Sequence, residues 1–307
     1  MPRFTHAATV PPVIDIPPEL AEAQRRHNGT TGEAFVRSLP HLAADFLNRW
    51  HLTLDGPQMH GVSALVLPVT RTDGARAVLK LHLPDEETRA EPVALRTWNG
   101  DGAVLLLDHD PDTGTLLLEH LRRLGETRPL THTPDTRTST LVIARLLARL
   151  TSHPAPPGLR SLGDIAPALL DRTPRALAHA PDPETRRTLT DCAAALREIA
   201  YDDPGDRLLH GDLHSGNVLA ADRADWLAID PKPLAGDPGF DLWPALANRF
   251  EPTEVRWRFD ALTDTLALDR PRARTWTLAR LLQNALWDLE SGRPVEPRHL
   301  EIARRLA

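Results

Sequence analysis

The stretch LLHGDLHSGNVLA, residues 208–220, decides how this chain is read. Two histidines, an aspartate and an asparagine fall within eight of its residues. His210, Asp212 and His214 alternate, and on a continuous strand all three would point to one side, the pattern of a metal site. Gly211 and the run Ser215-Gly216-Asn217 weaken such a strand, and no HExxH or similar zinc spacing occurs in the chain. The other reading makes the stretch a loop. Asp212 is then a base for a hydroxyl proton. Asn217, five residues on, offers a carbonyl oxygen to Mg2+, a hard ion that prefers oxygen to imidazole.

Working outward, the second reading gains parts. Thirteen residues beyond Asn217, Asp230 ends the short apolar run of WLAIDPKP and opens a loop, where its carboxylate can share one Mg2+ with Asn217. Upstream, ARAVLKLHL reads as a strand with Val78, Lys80 and His82 on one face and Ala77, Leu79 and Leu81 on the other. Of 36 basic residues only Lys80 and Lys232 are lysines, so each surviving lysine asks for a role that arginine's planar fork cannot fill. A half-buried ammonium at Lys80 needs an anion, either a carboxylate with the charge snorkelling outward or a phosphate. Before it, DGPQMHGVSALV puts Gly61 and Ser63 in a short loop between strands. Backbone N–H groups of such a loop can wrap phosphate oxygens, although many loops of this kind are only turns. The chain order is a Gly/Ser loop, a strand lysine, a helical acid, Asp212, Asn217 and Asp230. That is the order of parts in a protein-kinase-type phosphotransferase.

The bulk numbers fit. A chain of 307 residues can form one large domain or two lobes with a real core, and 41% hydrophobic with 25% charged residues is a soluble, globular composition. The net charge is −6 and no basic run occurs, which argues against a nucleic-acid partner and is compatible with a small cationic substrate. Cys192 is the one cysteine, so no disulfide framework or cysteine zinc site is possible. The N-terminus lacks the apolar core of a signal peptide, and no apolar run is long enough to span a membrane. The chain reads as cytoplasmic. It carries no signal of oligomeric state.

Residues 1–18 are proline-rich and read as an irregular arm. Residues 19–50 read as helical with a break near Pro40. VSALVLPV and ARAVLKL form a hairpin around the Asp-Gly turn RTDG, PDEETRAEPVALRTW reads as a helix, and GAVLLLDHD and TGTLLLEHL as two further strands. Beyond Leu121 the apolar spacing is mostly helical, near 139–153, 162–178, 184–200, 238–249, 252–267, 272–290 and 297–306, interrupted by short apolar runs at 206–231.

HGDLHSGN resembles the HxDxxxxN loop of aminoglycoside phosphotransferases, and IDPKPLAGDPGFDLWPAL resembles their second metal-binding segment. The likeness runs from VSALVLPV to WTLARLLQNALWDLE and is nearest to the streptomycin 6-phosphotransferase branch, grouped with hydroxyurea phosphotransferases. It implies an α+β, protein-kinase-like two-lobed fold that binds ATP and Mg2+. The N-terminal lobe, 1–118, would hold a small mixed, largely antiparallel sheet. A hinge at 119–122 would lead to a largely helical C-terminal lobe, 123–307. Lys80 would bind the α/β-phosphates, paired with Glu91 or with Glu87, which lies four residues earlier and would share a continuous helix face with it. Pro92 disfavours helix at Glu91, but the family-like spacing of EPVALRTW favours Glu91. The Glu119 carbonyl and Leu121 N–H would meet adenine, or that segment is an ordinary strand.

Asp212 would be the base, and Asn217 and Asp230 the metal ligands. His210 would orient the loop and His214 would be a loop residue. Protein kinases follow the metal aspartate with Phe-Gly, and here it is Pro231-Lys232. Lys232 would touch a phosphate or pair with a surface acid, the latter being preferred. The acceptor, a streptomycin-like aminoglycoside, would meet Asp237, Asp241, Asn284, Trp287, Asp288 and Glu290, since carboxylates match guanidinium forks and tryptophan stacks on them. Two of these have bland readings: Asp237 as a helix cap and Trp287 as core. Kinases of other small alcohols, or of hydroxyurea, and an idle binder are the alternatives.

Overall fold

The computed structural model describes residues 14–122 and 127–307. Most of the expected N-terminal arm, residues 1–13, lies outside the described residues, as do residues 123–126 of the polar stretch after Leu121. The chain divides into two compact units. One gathers the described residues up to Asp85 with Leu105–His120, and the other gathers Glu86–Val104 with the described residues from Leu121 onward.

The first unit is a helix laid on a sheet. Helix α1 (Pro18–Arg49) is followed by β1 (Thr53–Leu54), β2 (Met59–His60), β3 (Ala64–Thr70), β4 (Arg76–His82), β5 (Leu106–His109) and β6 (Leu116–Glu119). The order is β1-β3-β4-β6-β5, with β2 also on β3, and each pairing is antiparallel. The expected hairpin forms β3 and β4, with Val66 opposite Lys80. Strand alternation then sorts the side chains. Ala77, Leu79 and Leu81 join Leu65, Leu67, Val69 and Leu117 in a core with Phe35, Leu39, Ala43 and Phe46 of α1. Lys80 has the opposite parity and is itself buried.

The break in α1 is not at Pro40. The helix passes through that residue and is interrupted at Gly29, with φ 54° and ψ −133°. Proline's fixed φ is helical, so Pro40 costs a donor and some crowding but not the direction of the chain. The backbone at Gly29 is open only to a residue without Cβ.

The second unit is mostly helical: α2 (Glu91–Trp98), α3 (Thr136–Leu150), α4 (Leu162–Leu177), α5 (Pro183–Ile199), α6 (Leu242–Ala247), α7 (Val255–Leu266), α8 (Arg270–Glu290) and α9 (Pro297–Leu306). Asp135, Ser161, Asp182 and Asp269 cap α3, α4, α5 and α8 by accepting backbone N–H bonds in the first turn. Helix α8 runs through the middle, packed on α4 and α5, and buries Trp276, Leu281, Leu282, Ala285 and Leu286. Four short strands interrupt the helices: β7 (Arg207–Leu209), β8 (Val218–Leu219), β9 (Leu227–Ala228) and β10 (Leu234–Gly236).

Two expected helices start late. The helix read from PDEETRAEPVALRTW begins only at Glu91, where Pro92 falls in the first turn and its missing N–H has no intrahelical partner to lose. The segment read as helical over 238–249 opens as a 3-10 turn, Pro238–Asp241, before α6. Helix α2 is tied into this unit. Trp98 Nε1 donates to the Leu150 carbonyl at 3.1 Å, Val104 N–H to Ala228 at 2.9 Å, and Arg223 to the carbonyls of Gly100 and Ala103, both at 2.7 Å. Among the described residues no helix is long and apolar enough to cross a membrane.

Candidate active site

Two small antiparallel ladders build the site from LLHGDLHSGNVLA. In the first, Leu209 pairs with Leu234 and Leu208 with Ala235. The ladder is extended by Lys232 N–H donating to the His210 carbonyl at 2.8 Å. In the second, Val218 pairs with Ala228, and Ile229 N–H donates to the Asn217 carbonyl at 2.9 Å. Residues 210–217 therefore lie against residues 229–232. The register leaves Asn217 level with Ile229, and Asp230 one step further on. Asp230 takes a left-handed backbone, φ 56°, a conformation that few residues with a side chain adopt outside turns and functional sites.

The histidines are bound up in the loop itself. His210 has no solvent exposure. Its Nε2 donates to the Ile229 carbonyl at 3.1 Å, and its Nδ1 accepts the Asp212 N–H at 3.3 Å, so the ring is the neutral Nε2–H tautomer. It lies nearly parallel to Trp98, centroids 6.0 Å apart. Burial pushes its pKa down to about 4, against the opposing pull of Asp212. His214 caps the 3-10 turn Ser215–Asn217, its Nδ1 accepting Gly216 N–H at 3.0 Å, and burial lowers its pKa as well. Among the described residues no three His, Cys, Asp or Glu side chains come together as a metal cluster.

The oxygen set suits a hard ion better. Asn217 gives an amide N–H to the Asp212 carbonyl at 2.9 Å, which fixes the amide plane and turns its oxygen the other way. That oxygen and the Asp230 carboxylate are the donor types that Mg2+ takes.

Behind the loop stands Asp241, which the sequence reading assigned to the acceptor. Its side chain has no solvent exposure, and it accepts the His210 N–H at 2.7 Å and the Gly211 N–H at 2.6 Å. Burial raises its pKa to about 6, against the lowering effect of those two bonds and of Arg280. Buried Arg280 donates to the Gly211 carbonyl at 3.2 Å and to Gln283 at 2.6 Å. Gly211 has φ 79°, and a Cβ there would run into the Lys232 carbonyl oxygen. Ser215 hydrogen-bonds Asn248, fastening the loop's far end.

Lys232 pairs with acids, as preferred, and one of them is Asp212. Its Nζ lies 3.1 Å from Oδ2 of Asp212 and 3.8 Å from Oε2 of Glu87. Glu87 precedes α2 and sits 3.6 Å from Arg160, so it shares no helix face with Glu91. Glu91 itself is buried at the start of α2. The scarcity of lysine was the one sequence signal that set Lys232 apart. Nothing local marked Arg160 or Arg280, and Glu87 was marked only as a partner for Lys80.

The other residues expected to serve the nucleotide have local partners of their own. Gly61 N–H donates to the Ala64 carbonyl at 3.0 Å, and the Ser63 carbonyl accepts Gln24 Nε2 at 2.7 Å. Glu119 ends β6, its Oε1 accepting the Leu105 N–H at 3.0 Å, and Leu121 is buried. Of the residues expected at the acceptor, Asp237 caps Pro238–Asp241 through Gly239 and pairs with Arg272 at 2.6 Å. Asp288 pairs with Arg293 at 3.1 Å, and exposed Glu290 pairs with Arg172. Trp287 is half-buried with the Arg280 guanidinium 5.6 Å from its ring centre, and Asn284 lies half-buried on the same helix.

Residues 49–292 match the family model described as aminoglycoside/hydroxyurea antibiotic resistance kinase. The hydroxyurea phosphotransferase of Kitasatospora aureofaciens is 56% identical over 96% of this chain and 86% of its own length. The streptomycin 6-kinase of Streptomyces glaucescens is 54% identical over 96% of this chain and 97% of its own. Among solved structures, a choline kinase from Streptococcus pneumoniae superposes with a TM-score of 0.59 at 14% identity, covering 88% of this chain and 97% of that one, a likeness of fold.

Proposed function

The chain belongs to the aminoglycoside/hydroxyurea antibiotic resistance kinase family, and we propose that it moves the γ-phosphoryl group of ATP to a hydroxyl of a streptomycin-like aminoglycoside. The observation that carries this reading is the pair of ladders that holds Asp212, Asn217 and Asp230 on adjoining turns. Asp212 is the base that orients the hydroxyl and takes its proton. Asn217 and Asp230 hold Mg2+, which when bound neutralises phosphate charge. Lys80, with Glu91, serves the α/β-phosphates, Gly61 and Ser63 belong to the loop beside the phosphates, and the Glu119 carbonyl and Leu121 N–H serve adenine. Little covalent work falls to the protein; positioning and charge neutralisation dominate.

On the acceptor side the ion pairs sort the candidates. An incoming guanidinium would have to displace Arg272 at Asp237, Arg293 at Asp288 or Arg172 at Glu290. Asn284 offers a hydrogen bond at no such cost, whereas the Trp287 ring already has the Arg280 guanidinium over it. Asp241 acts from behind the loop. Hydroxyurea is the second acceptor to try, because a relative of 56% identity bears that name.

The test is Mg·ATP-dependent ADP release with streptomycin, other aminoglycosides, hydroxyurea and small amino alcohols. Release with streptomycin alone supports the reading. Release only with hydroxyurea or a metabolite moves the acceptor, and tight binding without release makes the chain a binder.

A further inference from the structure

Lys232 is fixed at its main chain and reaches its tip into a pair of carboxylates. Its N–H is bonded to His210, and its carbonyl packs where a Cβ on Gly211 would fall. Its side chain keeps 35% of its exposure. The ammonium sits between two carboxylates, Asp212 and Glu87, and Glu87 is backed by Arg160. Asp212 thus has Oδ2 engaged, while Oδ1 accepts no hydrogen bond among the described residues. In a chain with 36 basic residues and two lysines, the cation at this point is a lysine.

We infer that Lys232 is a positioning residue for phosphoryl transfer: its ammonium, anchored by Glu87, holds Oδ2 of Asp212 so that Oδ1 is the oxygen presented to the acceptor hydroxyl. The inference rests on the reading of Asp212 as base. The hydroxyl O–H breaks and its proton goes to Oδ1. The new O–P bond forms as the bond from the γ-phosphorus to the ADP oxygen breaks, and ADP leaves with that electron pair. Lys232 keeps its protons throughout. An ammonium is a compact point donor that binds one oxygen. A guanidinium fork takes both oxygens of a carboxylate side by side and would occupy Oδ1 as well.

The experiment compares wild type with Lys232→Met, Lys232→Arg, Glu87→Gln and Lys232→Cys, the last before and after alkylation with 2-bromoethylamine, which rebuilds a lysine-like ammonium. Cys192 is buried and its thiol pushed up to about 12, so the reagent spares it. Lys232→Met and Lys232→Arg are each expected to lower kcat roughly 30-fold with KM changed less than about 3-fold. Alkylation of the cysteine variant should restore most of kcat. Glu87→Gln should lower kcat less, and add little to Lys232→Met. In nucleotide-free protein, Asp212→Asn should speed acetylation of Lys232 by about 3-fold or more, followed by mass spectrometry, because the ion pair no longer holds the amine.

Arginine that works as well as lysine overturns the inference, as does undiminished kcat in Lys232→Met, or an acetylation rate indifferent to Asp212. Melting curves identify a variant that fails to fold, and Glu87→Gln with the acetylation rate then decide. A wild type that phosphorylates no acceptor overturns the kinase reading itself. An active wild type with an unaffected Lys232→Met overturns only the positioning role.

Discussion

Oδ1 of Asp241 accepts the N–H of Gly211 at 2.6 Å, across thirty positions of sequence. The bond is buried, and Oδ2 repeats it with His210. A carboxylate from the 3-10 turn before α6 therefore sets the height of the loop that carries Asp212. Asp241→Ala would leave two buried N–H groups without acceptors and Arg280 with less compensation. A loss of about 3 kcal/mol or more is expected in urea unfolding, with a fall in kcat. Asp241→Asn, which keeps one oxygen, should be milder. Unfolding energies equal to wild type would remove this role.

Asp212→Ala addresses the chemistry, with the loss of one ion pair to Lys232. Nucleotide binding by calorimetry should stay near wild type while kcat falls by about 100-fold or more. Turnover near the wild-type rate would dismiss Asp212 as the base.

Gly211 and Gly74 have nearly the same φ, 79° and 80°, but different surroundings. A Cβ on Gly74 meets nothing within 4 Å, whereas one on Gly211 meets the Lys232 carbonyl. Gly74→Ala should cost only about 1 kcal/mol, the price of the left-handed conformation. Gly211→Ala should cost about 3 kcal/mol, because the strained backbone cannot relax past another backbone. Equal melting temperatures for the two variants would contradict this.

Acid should destabilise the fold through its buried histidines. His210 and His299 are held neutral, with pKa values pushed down to about 4 by burial. The unfolded chain binds these protons at its ordinary value near 6.5, so stability falls as pH drops from about 6.5 to about 4. Each histidine contributes roughly 3 kcal/mol to that fall. Asp241, raised to about 6, works the other way: ionising it opposes folding as pH rises from about 4 to 6. His299 packs on Trp243 and is not part of the loop, so His299→Phe isolates one histidine. Its stability should depend on pH less steeply than that of wild type, by roughly 3 kcal/mol between pH 7 and 4. Parallel curves would refute the assignment.

Legibility in the sequence followed the range of each interaction. The alternation around Lys80 needs only period two, and it sorted the residues of β4 between core and opposite face as they stand. The loop from His210 to Asn217 is local and could be read as a loop. Asp241 was noticed but misassigned in kind, because its partners are the backbone N–H groups of residues thirty positions away, which no side-chain pattern announces. Asp237 fell to its bland reading as a cap, paired with an arginine from α8. Glu87, the alternative to Glu91, was put on a helix that starts only after it, because PDEETRAEPVALRTW was read as helical from its beginning. At Pro40 the error was reversed: a proline was credited with a break that belongs to Gly29.

The left-handed backbone at Asp230 has a practical use. Deleting a charged side chain usually confounds lost chemistry with lost folding. At this position glycine is the residue the backbone prefers, by about 1–2 kcal/mol over one with a Cβ. Asp230→Gly therefore removes the carboxylate while relaxing the main chain. A protein that melts no lower than wild type yet needs far more Mg2+ for turnover would separate function from stability at a single residue.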